Sequence, residues 1–453
     1  MTTCSVPLNP VPGPRGLPLL GNLPEFGRDP LAFLTKLRDE FGDAVRWSLG
    51  PRQSLFLSHP AHITELLAAR EQMYDILEIG WAFKRVVGQS VIMSKGDDWR
   101  RKRSLVQPTV RPRQVKTYAT TMVDCARRAA DRWRDGDRID VHREMALITQ
   151  RVVLRSLFGN DLGDRTGALA EAMNVAEHVI GAELRSMTLF MPGWVTTPAR
   201  RRLRAAVATI DGEVHRLIRA RLRGPADAEE DRDDLLSRLL AARDEDGRPL
   251  SPREVRDEAV TLWAAGHETT STALTWMWHL LSAYPSVRDR LEAELDRVLG
   301  GRPPTIDDHD RLTWTQQVVK ESLRLYPPAW LLAGVARDGA TLGGTRVPAR
   351  TIVWCSQWTT HRDPRWFPHP AAFRPERWDA DGPDAVTDHA WYPFGGGQRT
   401  CLGARFAQVE AVLLLATLAQ RFHLDLPATE VTPRVGLLLQ PATPLVATLR
   451  ARR

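Results

Sequence analysis

From about residue 60 to 325, apolar residues recur at spacings of three and four in long runs nearly free of Gly and Pro, which predicts helices. The clearest helix runs from Ser251 to near Tyr284. Ser251 is its cap, Pro252 its first position and Glu254 the third, a capping box. A helix of some 30 residues is about 45 Å long, enough to cross a whole domain. Residues 40–60 read instead as strand–turn–strand, with Gly50-Pro51 as the turn. Residues 327–400 are rich in Pro, Gly, Trp and His, with short β-like runs such as TRVPARTIVWCSQ. A second strong helix is expected from Ala404 to Phe422. Prolines 7, 10, 12, 14 and 18 make an extended lead-in over residues 1–22. No linker or repeat is visible. The pattern predicts one domain over 1–453, mainly α with a minor β portion (α+β).

Composition narrows the class. The 453 residues carry a net charge of +7, too weak over this length to imply nucleic acid, although a local basic dock is possible. The strongest apolar run, AVLLLATLA at 411–419, has nine residues, whereas a membrane span needs about 20. No secretory signal pattern opens the chain, and four cysteines are too few for a disulfide framework. A cytoplasmic protein without a membrane anchor is expected.

The sharpest chemical feature is Phe394-Gly-Gly-Gly-Gln-Arg399-Thr-Cys401-Leu-Gly403. Cys401 stands between a glycine-rich loop and a helix start, where free N–H groups and the helix dipole favour a thiolate, helped by Arg399. Such a thiolate is a good axial ligand for heme iron. From composition, the spacing arises by chance about once in a million positions. Phe-x-x-Gly-x-x-x-Cys-x-Gly resembles the heme-binding signature of the cytochrome P450 family. The resemblance implies heme b bound through Cys401, with Phe394, Gly403 and Arg399 in the same cofactor site. It also implies that family's heme-thiolate fold, with the long central helix over the heme.

Further motifs follow in that family's order. Glu321-Ser-Leu-Arg324 resembles its Glu-x-x-Arg element; positions i and i+3 share a helix face and can pair. Pro375-Glu-Arg377-Trp resembles its later arginine element, which implies a buried structural triad of Glu321, Arg324 and Arg377. Ala265-Gly-His-Glu268-Thr269-Thr resembles its oxygen-activating element. A mid-helix glycine costs about 1 kcal/mol, and a kink at Gly266 opening room for dioxygen is the expected reason. Glu268 and Thr269 are the implied catalytic acid–alcohol pair, relaying protons from solvent. Trp99-Arg-Arg-Lys-Arg103 resembles the element that clamps a heme propionate, Trp99 and Arg103 lying four apart on one helix face. Arg100, Arg101 and Lys102 are then expected on the face that docks the electron donor.

One departure stands out. Relatives place a propionate arginine about ten residues before a Gly pair, which here falls on Gly334. Either Arg337, three residues late, reaches round, or another group holds that propionate. His361 is a weaker candidate, expected as an exposed loop residue.

The resemblance implies a substrate pocket lined by Trp81, Phe83, Leu262, Ala265, Trp330 and Leu331, an apolar, bulky set suited to a hydrophobic molecule. The implied activity is a monooxygenase that inserts one oxygen atom of O2, acting as a monomer. Its electrons come from a ferredoxin and an NAD(P)H-dependent ferredoxin reductase, because no Gly-x-Gly-x-x-Gly follows a strand. The Arg/Ala-rich composition and the KESLRLYPP segment are similar to actinobacterial members that oxidise terpenoid natural products. The alternatives are a peroxide-driven or non-oxygenating heme-thiolate enzyme of the same fold, or a non-catalytic heme protein. Retention of Glu268-Thr269 weighs against both.

Overall fold

The computed structural model describes residues 11–77, 80–159, 166–184, 191–223, 234–379, 386, 389–428 and 430–452. Helix makes up 58% and strand 13%, so the mainly-α reading with a minor β portion holds. The chain forms two compact units, each assembled from segments distant in sequence. One takes the chain through Leu77, Gln317–Ala404 and Pro433–Gln440; the other takes Glu78–Gln316, Arg405–Thr432 and Pro441–Arg453. Two of the crossings fall within the helices Thr313–Leu325 and Ala404–Ala419, which is why no linker shows in the sequence.

The first unit is built on a five-stranded sheet, in the order Ala44–Leu49, Arg52–Leu57, Ile352–Cys355, Leu332–Ala336, Tyr74–Ile76. The expected hairpin is its edge, paired from Ala44↔Leu57 to Leu49↔Arg52. Gly50 takes φ +58° in its turn, a conformation cheap only for glycine. Strand alternation sorts the side chains into two cores. Leu55, Leu57, Val353 and Cys355 join Tyr74 on one face; Phe56, Ile352 and Trp354 join Phe33, Leu34 and Trp47 on the other. The proline-rich lead-in is tied to this sheet, with Arg46 N–H donating to the Pro12 carbonyl at 2.8 Å.

Trp330 and Leu331, expected in a substrate pocket, are both placed at the second core. Trp330 is buried in the second core, its indole N–H donating to the Gly436 carbonyl at 3.1 Å, and Leu331 packs against the same cluster.

The second unit is helical. Its centre is Pro252–Ala283, and the Ser251–Glu254 capping box forms as expected. The helix runs on without a break through Gly266. Close packing is one reason for this glycine, since a Cβ there would stand 3.2 Å from Val153 Cγ2 on the helix Val141–Phe158. The C-terminal helix Ala404–Ala419 is shorter than expected. Phe422 and Leu424 are buried and alternate with half-buried His423 and Asp425, so the period drops to two and Phe422–Asp425 is a strand. That strand pairs with Val446–Ala451, which also pairs with Arg138–Asp140. Among the described residues, no helix is long and apolar enough to cross a membrane.

Candidate functional site

In the first unit the cysteine loop closes on itself, with the Cys401 N–H donating to the Phe394 carbonyl at 3.0 Å. Gly397 has φ +64°, and a Cβ there would lie 2.1 Å from the Leu67 carbonyl oxygen. Only glycine lets this loop press against the helix Pro60–Met73. The helix Ala404–Ala419 starts three residues after Cys401, which places the cysteine by its N-terminus. Of the three described cysteines, Cys125 and Cys355 are buried and Cys401 is exposed. Burial raises the Cys125 thiol and pushes that of Cys355 up to about 12. A thiolate ligand must be reachable and ionisable, so Cys401 is the cysteine that fits heme iron.

The cations around this loop differ from the sequence expectation. Arg399 donates from Nε to Glu71 Oε2 at 2.7 Å, and Glu71 is almost wholly buried. Gly334 pairs with Ile76 and Val353, and a Cβ there would stand 3.2 Å from Tyr74 Cβ, so the strand has no room for the missing arginine's side chain without displacing Tyr74. Arg337 does not reach round. It is turned onto Asp75 Oδ1, at 3.0 Å from Nε and 2.8 Å from Nη2, and onto the Glu71 carbonyl at 3.1 Å from Nη1.

Arg70, which the sequence reading passed over, donates from Nη2 to the Ala333 carbonyl at 3.1 Å, one residue from Gly334. Its Nε is buried with no hydrogen-bond partner among the described residues. Burial and the nearby Arg399 charge lower its pKa. A buried, unsatisfied guanidinium N–H costs on the order of 1–3 kcal/mol or more, and a carboxylate satisfies it. The donor set of Cys401, Arg70 and Arg399 therefore fits a heme with acidic side chains. Arg70 has no sequence motif in front of it; only the fold brings it beside Ala333.

The buried triad is assembled. Glu321 accepts from Arg324 at 2.9 and 2.8 Å, from Arg377 Nε at 2.9 Å and from Trp378 Nε1 at 3.0 Å. Arg324 and Arg377 give their remaining N–H groups to loop carbonyls, including those of His361, Pro370, Ala372 and Pro368. All three charged side chains are 0% exposed, yet every charge has partners, the condition under which buried ions are tolerated. His361, expected as exposed, is fully buried. Its Nε2 accepts from the Tyr392 N–H at 3.0 Å, and burial holds it well below the usual imidazole pKa.

In the second unit, Leu262, Ala265, Gly266 and Thr269 share one face of the long helix. They remain partly or fully accessible on a helix that is otherwise largely buried. The Thr269 hydroxyl donates to the Ala265 carbonyl at 2.7 Å and that of Thr270 to the Gly266 carbonyl at 3.0 Å. Glu268 is turned toward Glu177 and His267, and the ligating atoms of the three lie within 4.8 Å of one another. Burial and Glu177 push Glu268 up to about 8. Trp99 is buried on the helix Gly96–Val106, and Arg103, half-buried, donates to Gln107 at 3.3 Å.

One expectation in this unit is corrected. Lys102 is not on a docking face. It is buried, donating to Gln89 O, Ser94 Oγ and Asp98 Oδ2 at 2.6, 3.0 and 2.8 Å. Arg101 is held by Asp244 and Glu254, both at 2.8 Å, which leaves Arg100 as the exposed member of the run. Trp81 stands among cations. Arg200 stacks on its ring at 4.8 Å, and it borders an open groove of about 630 Å³ shared with Lys84, Arg85, Arg253 and Arg256. Phe83 is half-buried on the same helix, Gly80–Val87.

The loop-borne cysteine and the mixed α+β architecture define a heme-thiolate protein. The chain belongs to the cytochrome P450 family, whose model matches residues 11–448. It is 37% identical over 431 residues to cyclooctatin synthase of Streptomyces melanosporofaciens, covering 94% of this chain and 92% of that one. It is 36% identical to cyclooctat-9-en-7-ol 5-monooxygenase of the same organism, covering 91% and 88%. Pentalenene oxygenase of Streptomyces avermitilis is 34% identical, covering 93% and 92%. The solved structure of retinoic acid bound cyanobacterial CYP120A1 superposes with a TM-score of 0.85 at 26% identity, covering 98% and 99%. The chain is accordingly a heme-dependent monooxygenase.

Proposed function

We propose that this enzyme inserts one oxygen atom of O2 into a cyclic terpenoid skeleton, using electrons from a ferredoxin and its NAD(P)H-dependent reductase. The observation that carries the reading is the presentation of Cys401: exposed, closed onto Phe394 and beside a helix start, in a chain similar over its whole length to named terpenoid oxygenases. When bound, heme with a cysteine thiolate supplies the reductive activation of dioxygen. Cys401 would hold its iron through the thiolate. Arg70 and Arg399 would hold one of its carboxylates, Arg70 standing in for the arginine that Gly334 lacks. On their own helix, Trp99 and Arg103 would clamp a carboxylate together. Leu262 and Ala265 offer the substrate an apolar face with no polar anchor. Thr269 and Glu268 deliver protons, the hydroxyl passing on what the carboxyl supplies.

The test is incubation of the purified enzyme with a surrogate ferredoxin, a reductase and a panel of cyclic terpenes under ¹⁸O₂. The expected product carries one labelled oxygen by mass spectrometry. Product formed only with added peroxide, and none with the electron-transfer proteins, would establish the peroxide-driven alternative.

A further inference from the structure

Glu177 lies on the helix Thr166–Leu184, and no motif points to it. Its Oε1 stands 3.1 Å from His267 Nε2, and it shares a side-chain hydrogen bond with Glu268. The other ring nitrogen, His267 Nδ1, faces the Trp263 carbonyl at 3.1 Å. A carbonyl only accepts, so Nδ1 carries the proton and the neutral ring leaves Nε2 as an acceptor. Glu177 Oε1 stands close to Nε2 but makes no hydrogen bond there, so the partner of the Glu177 carboxyl is Glu268. A hydrogen bond between two carboxyls requires a proton, so Glu268 donates to Glu177.

We propose that Glu177 is a positioning residue for proton delivery, holding the Glu268 carboxyl protonated and returning a proton to it after each transfer. The proposal rests on the reading of Glu268 as the relay acid. Glu268 gives its proton toward Thr269 and becomes a carboxylate. Glu177 passes its own proton to that carboxylate and takes one from water, to which its side chain is 23% exposed. One proton enters per transfer, two transfers serve each turnover, no electron moves in this step, and the imidazole stays neutral.

The electrostatics agree. Burial pushes Glu177 up to about 7, and burial with the neighbouring carboxyl pushes Glu268 up to about 8. His267 is lowered by burial, in keeping with a neutral ring. From the helix Val141–Phe158, His142 acts weakly on Glu268 in the opposite sense. On the helices packed beside Thr166–Leu184, Arg200 pairs with Glu183 at 3.5 Å and Arg216 with Glu213 at 2.6 Å, while Lys84 and Arg85 are exposed on the groove. Like-charge coupling of this strength makes the two carboxyls titrate as a pair.

The experiment compares the heme-loaded wild type with Glu177→Gln, Glu177→Asp and Glu268→Gln. Two readouts are taken against pH: product formed per nicotinamide oxidised, and the infrared carbonyl band of protonated carboxyls, which needs no turnover. Wild type should keep both up to about pH 8 and lose them above it. Glu177→Gln should remove one carboxyl from the buried titration, which also contains Glu258 and Glu410, and move the fall in coupling down by about one pH unit, with substrate KM unchanged. Glu177→Asp should restore most of the wild-type profile. Glu268→Gln should uncouple the enzyme at every pH. Loss of coupling in Glu268→Gln with an unshifted profile and infrared titration in Glu177→Gln would overturn the role of Glu177. An unaffected Glu268→Gln would overturn the relay itself.

Discussion

Arg399 Nε donates to Glu71 Oε2 at 2.7 Å, and the same carboxylate also acts through its charge on Arg70. Glu71 and Arg70 are neighbours on one helix, while Arg399 comes from the cysteine loop. The pair thus pins the loop that carries Cys401. Glu71→Ala leaves two buried or half-buried guanidinium groups without their acid, a change of about 3–5 kcal/mol for a buried pair. The expected result is a lower unfolding temperature and a lower heme-to-protein absorbance ratio on purification. Unchanged values would mean that the ion pair does not hold the loop.

Arg70→Met should keep the fold and loosen the cofactor. Hydrogen bonds to charged groups contribute about 1.5–3 kcal/mol, so heme transfer to an excess of apomyoglobin should quicken roughly ten- to a hundred-fold. Arg337→Met should leave that rate alone, because Asp75 already engages Arg337. The reverse pattern would assign the propionate to Arg337.

Cys401→Ser should lose the thiolate spectrum of the ferrous carbonyl complex together with turnover, since a hydroxyl is neither soft nor readily ionised. Cys125→Ser and Cys355→Ser should retain the spectrum, both thiols being buried. Loss of the spectrum in either of the latter would move the ligand.

Arg377→Ala removes one partner of a wholly buried triad and leaves Glu321 under-compensated. The expected destabilisation is about 3–5 kcal/mol. Glu321→Gln should be comparably damaging, because Arg324 and Arg377 then face each other without the carboxylate. The double variant should cost less than the sum of the single ones, a coupling that chemical denaturation measures.

Glu410 is fully buried on the helix Ala404–Ala419, and burial pushes it up to about 8. A carboxyl raised above its unfolded value contributes stability that is fully present below about pH 4.5 and is lost as pH rises through about 8. Glu410→Gln removes that dependence. The variant should therefore gain stability relative to wild type between pH 6 and 8.5, read as a rising difference in unfolding temperature. A difference constant with pH would show that Glu410 is ionised throughout.

The elements that were legible in the sequence are those whose signals are local. The Ser251 capping box, the Gly50-Pro51 turn and the loop-borne Cys401 each depend on residues within a few positions of one another. Glu321 and Arg324 were legible for the same reason, and Arg377 followed because its motif is short and ordered. The failures share a cause as well. WRRKR reads as a basic surface run, yet Lys102 finds Gln89, Ser94 and Asp98 and is buried, while Arg101 finds Asp244 and Glu254 far along the chain. Trp81, Trp330 and Leu331 are hard to place from sequence, because bulky apolar residues look alike whether they line a cavity or fill a core.

The sequence by itself determined the family, the heme ligand's loop, the long capped helix and the composition of the buried triad, because short-range spacing and backbone chemistry suffice for these. Tertiary structure alone decided that Gly266 packs against Val153, that Arg337 belongs to Asp75, and that Glu177 meets Glu268 and His267. It also decided that Arg70 lies beside the strand lacking its arginine. The physical reason is that a side chain's protonation state and its choice of partner are fixed by desolvation and by charges within a few ångströms. Those neighbours arrive from segments tens to hundreds of residues away, which no local pattern encodes.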